Sequence, residues 1–438
     1  NKLYTHQRKA IDIFNSGKNP VVVTPTASGK TLCYNLPVIQ KIIENPEARA
    51  LYLFPTKALS QDQLSGLTDI IDELGISIKT YTFDGDTPAT VRSKIRKAGH
   101  IVITNPDMLH TGILPHHPRW INLFENLRVV VIDEVHHYRG VFGSHLANVL
   151  RRLKRICDFY GSKPQFICCS ATIANPKELA ERVTGIDCEL VDDNGAPSGE
   201  KHFLLYNPPV VNAQFGIRKS SLLEAKDIAR MFLGNNIQTI IFARSRLRVE
   251  ILTTYLREAG AKMNLRKDAI CGYRGGYLPN ERRQIERGLR SGDIRAVVST
   301  NALELGIDIG QLQAAIIVGY PGNIASSWQQ AGRAGRTAET SVAVMVATSS
   351  PLDQFMVAQP EYFFGSSPES GIVDPENLLI KSSHIKCASF ELPFSEDEDF
   401  GAINTRPILE FLNDAHVLHK SGGKYHWASE IYPAEEVS

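Results

Sequence analysis

The chain has 438 residues, 43% of them hydrophobic, enough for two or three domains with separate cores. Its 48 basic and 47 acidic side chains nearly cancel, which excludes a bulk field aimed at a polyanion, so any nucleic-acid surface must be local. No apolar run approaches the roughly 20 residues of a membrane helix, and NKLYTHQRKA has no apolar signal core, so a cytoplasmic chain without a membrane partner is expected.

Short Val- and Ile-rich runs alternate with longer stretches of helical period, the pattern of parallel sheets covered by helices. The first strand candidate, PVVVT, runs straight into TPTASGKT at 24–31. A strand end, a tight loop and Gly29-Lys30-Thr31 opening a helix place backbone N–H groups and a helix N-terminus around phosphate oxygens. Lys30 would reach the β and γ phosphates of a nucleotide, Thr31 would offer its hydroxyl to Mg²⁺, and Gly29 permits close backbone approach. The glycine that normally opens such a loop is here Thr24, so TPTASGKT alone fits a plain strand-turn-helix equally well.

ALYLF and HIVIT are the next strands, followed by LRVVVIDEVHHY, whose apolar run delivers Asp133 and Glu134 to the carboxyl end of a strand. Open α/β sheets bind ligands at that end. Asp133 suits a hold on Mg²⁺, and Glu134 suits orienting and deprotonating an attacking water. An acidic helix cap is the plainer alternative; both pieces in order, each at a strand end, point to a nucleoside triphosphatase. His110, His116, His117, His136 and His137 crowd this region, but without cysteine partners or i,i+4 ligand spacing they read as ordinary histidines. The seven cysteines contain no C-x-x-C pair and are expected to be reduced and mostly buried.

QFICC ends the first series, and DDNGAPSG at 192–199 is a boundary loop. A second series follows: QTIIFA, DAICGY, RAVVST, AAIIVGY and SVAVMVA. The chain thus reads as two α/β lobes, 1–191 and 201–371, joined by a linker at 192–200. In the second lobe, WQQAGRAGR at 328–336 carries Gln329, Arg333 and Arg336; on a helix the arginines, three apart, would share a face and converge on one polyphosphate. A lobe with no phosphate loop of its own but with paired arginines suits a cleft that closes on ATP. From 372 to 438 a helical stretch, TRPILEFLNDAHVL, and a Gly-Gly hairpin, HKSGGKYHWAS, suggest an accessory winged-helix-like α+β segment.

TPTASGKT, DEVH, the SAT of Ser170 to Thr172, and QxxGRxGR from Gln329 to Arg336, in that order, resemble the superfamily-two helicases of the DExH branch. LYTHQ at 3–7, HHYRGVFGSHLANVLRRLKRI, YRGGYLPNERRQIE and TNALELGIDIG narrow the resemblance to the Hrq/MrfA (YprA) group of DNA-repair helicases. It implies two RecA-like lobes and hydrolysis of ATP with Mg²⁺. Tyr4 and Gln7 would belong to the nucleotide site with Gln7 at the adenine edge, Thr26, Ala27 and Ser28 would line the phosphate loop, and Gly306 and Asp308 would touch phosphate and ribose. His136, Ser170 and Thr172 would couple hydrolysis to a strand track. The group's cysteine-rich zinc module is not matched after Cys387, so no metal beyond Mg²⁺ is expected within these residues, which read as a segment of a longer protein.

The same resemblance places the track on loops after the strands. There Thr56, Thr104, Asn105, Thr300 and Asn301 offer hydroxyls and amides to phosphate oxygens, and Lys57, Arg246 and Arg274 add charge. The expected partner is single-stranded or tailed duplex DNA, followed 3′→5′ and with little base preference; RNA stays open, because the 2′-OH cannot be read from sequence. Two rivals remain, an ATP-gated clamp that does not unwind and a small-molecule kinase. The second leaves the paired arginines and SAT unexplained.

Overall fold

The computed structural model describes residues 2–25, 28–197, 199–310, 312–335, 340–402 and 404–437. They fall into two compact units: Asn1–Thr24, Gly29–Asn194 and Ser370–Ser438 form one, and Pro25–Ser28 with Gly195–Glu369 the other. Among the described residues no helix is long and apolar enough to cross a membrane.

The first unit holds a parallel sheet of β1 (Pro20–Val23), β2 (Arg49–Leu53), β3 (Thr80–Thr82), β4 (Ile101–Thr104), β5 (Leu127–Ile132), β6 (Gln165–Ser170) and β7 (Glu189–Val191), in the order β3-β4-β2-β5-β6-β1-β7. Its central strands are buried along nearly their whole length, because helices cover both faces. That is why they read as unbroken Val/Ile runs. The order makes β5, β6 and β1 neighbours, so the loops after Ile132, Ser170 and Val23 emerge side by side.

The second unit repeats the architecture. Strands β8 (Lys201–Tyr206), β11 (Thr239–Ala243), β12 (Ile270–Tyr273), β13 (Ala296–Ser299), β14 (Ala314–Val318) and β15 (Ser341–Val346) form a parallel sheet, β12-β13-β11-β14-β15-β8. A short ribbon, β9 (Val210–Asn212) with β10 (Ile217–Arg218), follows β8. Strands β3, β7, β8, β9 and β10 were not anticipated; each is an edge strand or ribbon strand, and several are only two or three residues long.

The last segment is a winged helix. Helices Leu378–Glu391 and Arg406–Asp414 pack on an antiparallel sheet of β16 (Phe394–Ser395), β17 (Leu418–Ser421) and β18 (Lys424–Trp427), around Ile385, Phe394, Leu409, Leu412 and Tyr425. It belongs to the first unit because helix Gly140–Phe159 offers it three arginines: Arg151 pairs with Glu376, Arg152 with Glu391 and Arg155 with Glu398. All seven cysteines are free thiols, six of them buried.

Candidate functional site

The phosphate-loop lysine and the acidic pair sit where β1 and β5 end. Gly29 caps helix Lys30–Glu44 in the left-handed region, φ 79°. The positive φ favours glycine, and a Cβ there would also lie 2.7 Å from Gln7 Nε2 and displace that side chain. Gln7, 2% exposed, donates through Nε2 to the Gly29 carbonyl at 3.0 Å and accepts the Tyr4 N–H at 3.0 Å. Tyr4 and Gln7 are thereby tied to the phosphate loop by the helix that precedes β1. Lys30 Nζ donates to the Thr24 carbonyl at 2.6 Å, folded back onto the strand end, and Ser28 is buried. Thr26 and Ala27 lie outside the described residues.

Asp133 and Glu134 are each 8% exposed. Burial, and then the neighbouring Glu134 charge, raise the Asp133 carboxyl to about 7, against the opposing pull of Lys30 and hydrogen bonds from the Glu134 N–H and the Tyr34 phenol. Two buried carboxyls beside one lysine make a pocket short of positive charge. Asp133, with the Thr31 hydroxyl nearby through their shared partner Tyr34, therefore fits a divalent cation. Glu134 adopts φ 53° and ψ 45°, a left-handed backbone that costs a non-glycine residue energy and is kept where the side chain must point a particular way.

His136 bridges β5 to β6. Its Nδ1 accepts the Ala171 N–H at 3.0 Å and stands 3.5 Å from Glu134 Oε2. Burial lowers the imidazole to about 4, so near neutral pH the ring is uncharged with its proton on Nε2, and the approach to Glu134 is not an ion pair. Ser170 is fully buried and donates to the Ala171 carbonyl at 2.8 Å, while Thr172 is exposed.

In the second unit the arginine motif departs from expectation. Helix Ile324–Ala331 ends before Arg333, so Arg333 lies on no helical face. Gly335 is the reason the chain turns: its φ is 77°, and a Cβ there would meet Ser341 Oγ at 2.2 Å. Arg333, 1% exposed, donates to the Glu304 carbonyl at 2.7 Å and the Ile307 carbonyl at 3.1 Å. It braces its own unit rather than presenting an open guanidinium. Arg336 lies outside the described residues. Gln329 is buried on the helix, Gly306 is half-buried, and exposed Asp308 accepts the Gly310 N–H at 3.1 Å.

Most of the supposed track residues are occupied locally. Thr56, Asn105 and Thr300 cap the helices or turns that follow them, accepting from Leu59, Met108 and Ala302 N–H. Thr104 is a correction: it is 1% exposed and its hydroxyl donates to the Phe83 carbonyl at 2.6 Å, so it fixes the end of β4 and offers nothing to phosphate. Lys57 pairs with Asp86 at 3.1 Å, and Arg274 with Glu250 at 2.7 Å while stacking on Tyr277. Arg246 and Asn301 are exposed. Tyr34, Gln63 and Lys201 were missed. Tyr34 reads as a core residue of an amphipathic helix, and Lys201 as a lone charge after the linker; only contacts distant in sequence distinguish them.

Comparison with known proteins agrees with this layout. The family described as "DEAD/DEAH box helicase" matches residues 4–179, "Helicase conserved C-terminal domain" matches 224–338, and "ATP-dependent helicase HRQ1, winged helix domain" matches 373–438. The uncharacterized ATP-dependent helicase YprA of Bacillus subtilis is 62% identical over 437 residues, covering 100% of this chain and 58% of the relative. ATP-dependent helicase HRQ1 of Saccharomyces cerevisiae is 39% identical over 450 residues, covering 98% of this chain and 41% of the relative. A crystal structure of the DUF1998 helicase MrfA bound to DNA and AMPPNP superposes with TM-score 0.95 at 62% identity, covering 100% of this chain and 61% of that one. The chain therefore spans between about two fifths and three fifths of the length of these relatives.

Proposed function

Because the chain belongs to the superfamily-two helicases of the Hrq/MrfA type, we propose that it hydrolyses ATP to move along DNA and separate its strands. The observation that carries this reading is the convergence of Lys30, the Asp133–Glu134 pair and the His136–Ala171 bond at the ends of β1, β5 and β6. Lys30 would leave the Thr24 carbonyl for the β and γ phosphates, and Glu134 would orient and deprotonate the attacking water. Asp133 and Thr31 would hold Mg²⁺, which when bound neutralises phosphate charge. His136 would report the state of Glu134 to the loop after β6.

On this reading Arg336 supplies transition-state charge, Arg333 keeps the loop bearing Gly306 in place, and Gln329 supports both. The DNA partner is suggested by the DNA-bound relative. Movement 3′→5′ and work in DNA repair rest on the family resemblance alone. Arg246, Asn301, Lys57 and Arg274 are the remaining candidates for holding the strand backbone, the last two after release of their ion pairs.

The test is strand displacement on a 3′-tailed duplex, DNA and RNA side by side, with strand-stimulated ATP turnover measured in parallel. Displacement of DNA that vanishes in Lys30→Ala is the expected outcome. Stimulated turnover without displacement would favour an ATP-gated clamp, and turnover that strands do not stimulate would overturn both.

A further inference from the structure

The side chain that joins the end of β5 to helix Lys57–Glu73 lies outside every sequence motif. Tyr34 follows Thr31 by one turn on helix Lys30–Glu44 and is 1% exposed. Its phenol oxygen is 3.2 Å from Asp133 Oδ2 and 3.0 Å from Gln63 Oε1, with Thr31 one turn back on the same helix. One hydroxyl thus joins Asp133, suited to Mg²⁺, to a residue on helix Lys57–Glu73. That helix begins at the Thr56 cap and Lys57, and Gln63 sits six residues on, about 9 Å along its axis.

A phenol has a single proton to donate. If Gln63 presents Oε1, the proton serves either Gln63 or Asp133, not both fully. If the Gln63 amide is turned, its N–H donates to the phenol and the phenol to Asp133, which makes a directed chain. These are two discrete hydrogen-bond arrangements of three side chains, and they differ in whether Asp133 is held. Tyr34 cannot escape the choice: its ring lies edge-to-face on Tyr52, centroids 5.4 Å apart, and Tyr52 is itself bonded to Asn35, so the hydroxyl rotor is the freedom left. Burial keeps the phenol protonated, so it stays a donor.

We propose that Tyr34, with Gln63, is the positioning residue that links strand occupancy at Lys57, in the first turn of helix Lys57–Glu73, to Asp133, and so couples nucleic-acid binding to nucleotide binding. This rests on the function proposed above. A strand that draws on the first turn of the helix moves Gln63 and changes which acceptor receives the phenol proton; a change in what Asp133 accepts from the phenol acts on Gln63 in the reverse direction. Such coupling is reciprocal by thermodynamic necessity.

The experiment measures the affinity of the whole chain for a fluorescent single strand by anisotropy, with and without AMP-PNP and Mg²⁺, in wild type, Tyr34→Phe, Gln63→Leu and the double variant. The wild-type affinities should differ between the two conditions by a factor in the range of roughly 5–150. Each single variant should still bind strand and nucleotide separately, yet bring that factor close to one, and the double variant should lose no more than either single, as members of one network do. A factor unchanged in Tyr34→Phe, or losses that add in the double variant, would overturn the inference while leaving the functional reading intact. If wild type shows neither strand-stimulated turnover nor any mutual effect of the two ligands, the functional reading falls and this inference with it.

Discussion

Arg152 and Glu391, 239 residues apart in sequence, form an ion pair whose side chains are 0% and 1% exposed. Arg152 Nε lies 3.1 and 3.2 Å from the two carboxylate oxygens, while Nη1 donates to Nδ1 of His110 at 2.5 Å and of His384 at 3.3 Å. A buried pair is costly to desolvate but costlier still to break. Glu391→Ala should therefore destabilise the first unit by roughly 3–5 kcal/mol, whereas exchanging both residues for Met and Leu should cost far less. Urea unfolding of the whole chain reads the difference. A loss below about 1 kcal/mol in Glu391→Ala would mean that the winged helix is held by its other contacts, the Arg151–Glu376 and Arg155–Glu398 pairs and its apolar packing, without this pair.

The histidines around that pair predict acid sensitivity. Burial, then the Arg152 charge, depress His110 to about 3 and hold His384 well below its ordinary value, and burial lowers His145, whose Nδ1 faces His384 Nε2 at 3.0 Å. Below about pH 6.5 the unfolded chain takes up protons on these rings, while in the folded chain His110 and His384 resist protonation. Stability therefore falls as pH drops from 6.5 toward 3, by about 1.4 kcal/mol per pH unit for each ring that stays neutral in the fold. The pH dependence of the urea midpoint should be shallower in His384→Gln. An unchanged slope would show that His384 is already charged in the native state.

How much of this could be read in advance varies with the kind of residue. Strands β1, β5 and β6 were legible because burial on both faces leaves an unbroken apolar run and because Lys30, Asp133 and Ser170 punctuate their ends. Strands β3 and β7 escaped because three residues at a sheet edge carry no period. Thr56, Asn105 and Thr300 were placed correctly at the start of turns, yet a small polar residue there serves as a cap as readily as a phosphate contact, and sequence cannot separate the two. The helix assumed for Arg333 ignored the glycines of AGRAG, one of which needs positive φ.

Glu134→Gln should keep nucleotide and strand binding while lowering strand-stimulated turnover by roughly 10²–10⁴, the usual worth of a positioned general base. The strained backbone at Glu134 and the neutral His136 beside it are kept in this variant, so the loss reports chemistry rather than folding. Turnover within a few-fold of wild type would make Glu134 a structural residue of the turn after β5.

Lys201 Nζ donates to the carbonyls of Ala331 and Ala334 at 2.8 and 2.6 Å, spanning the turn that carries Arg333. Lys201→Met keeps the stem and removes the donors; it should lower turnover about tenfold or more through loss of the turn's geometry, and Lys201→Arg should recover much of it. Equal activity in Met and Arg variants would assign Lys201 to packing alone.

The two arginines of the motif should part company. Arg333 is spent on the carbonyls of Glu304 and Ile307, so Arg333→Ala leaves buried acceptors bare and should destabilise the second unit by about 1–3 kcal/mol, visible as a lower unfolding midpoint. Arg336→Ala should leave that midpoint alone and lower strand-stimulated turnover by roughly 10³–10⁵, the range for an arginine that meets transition-state charge. Arg336→Lys should resemble Ala, because a lysine brings charge without the planar fork that spans two oxygens. The pattern is diagnostic because stability and rate move in different variants. If instead Arg333→Ala lost turnover at an unchanged midpoint while Arg336→Ala stayed within a few-fold of wild type, the roles would be exchanged, and the buried bonds of Arg333 would have to break on each catalytic cycle.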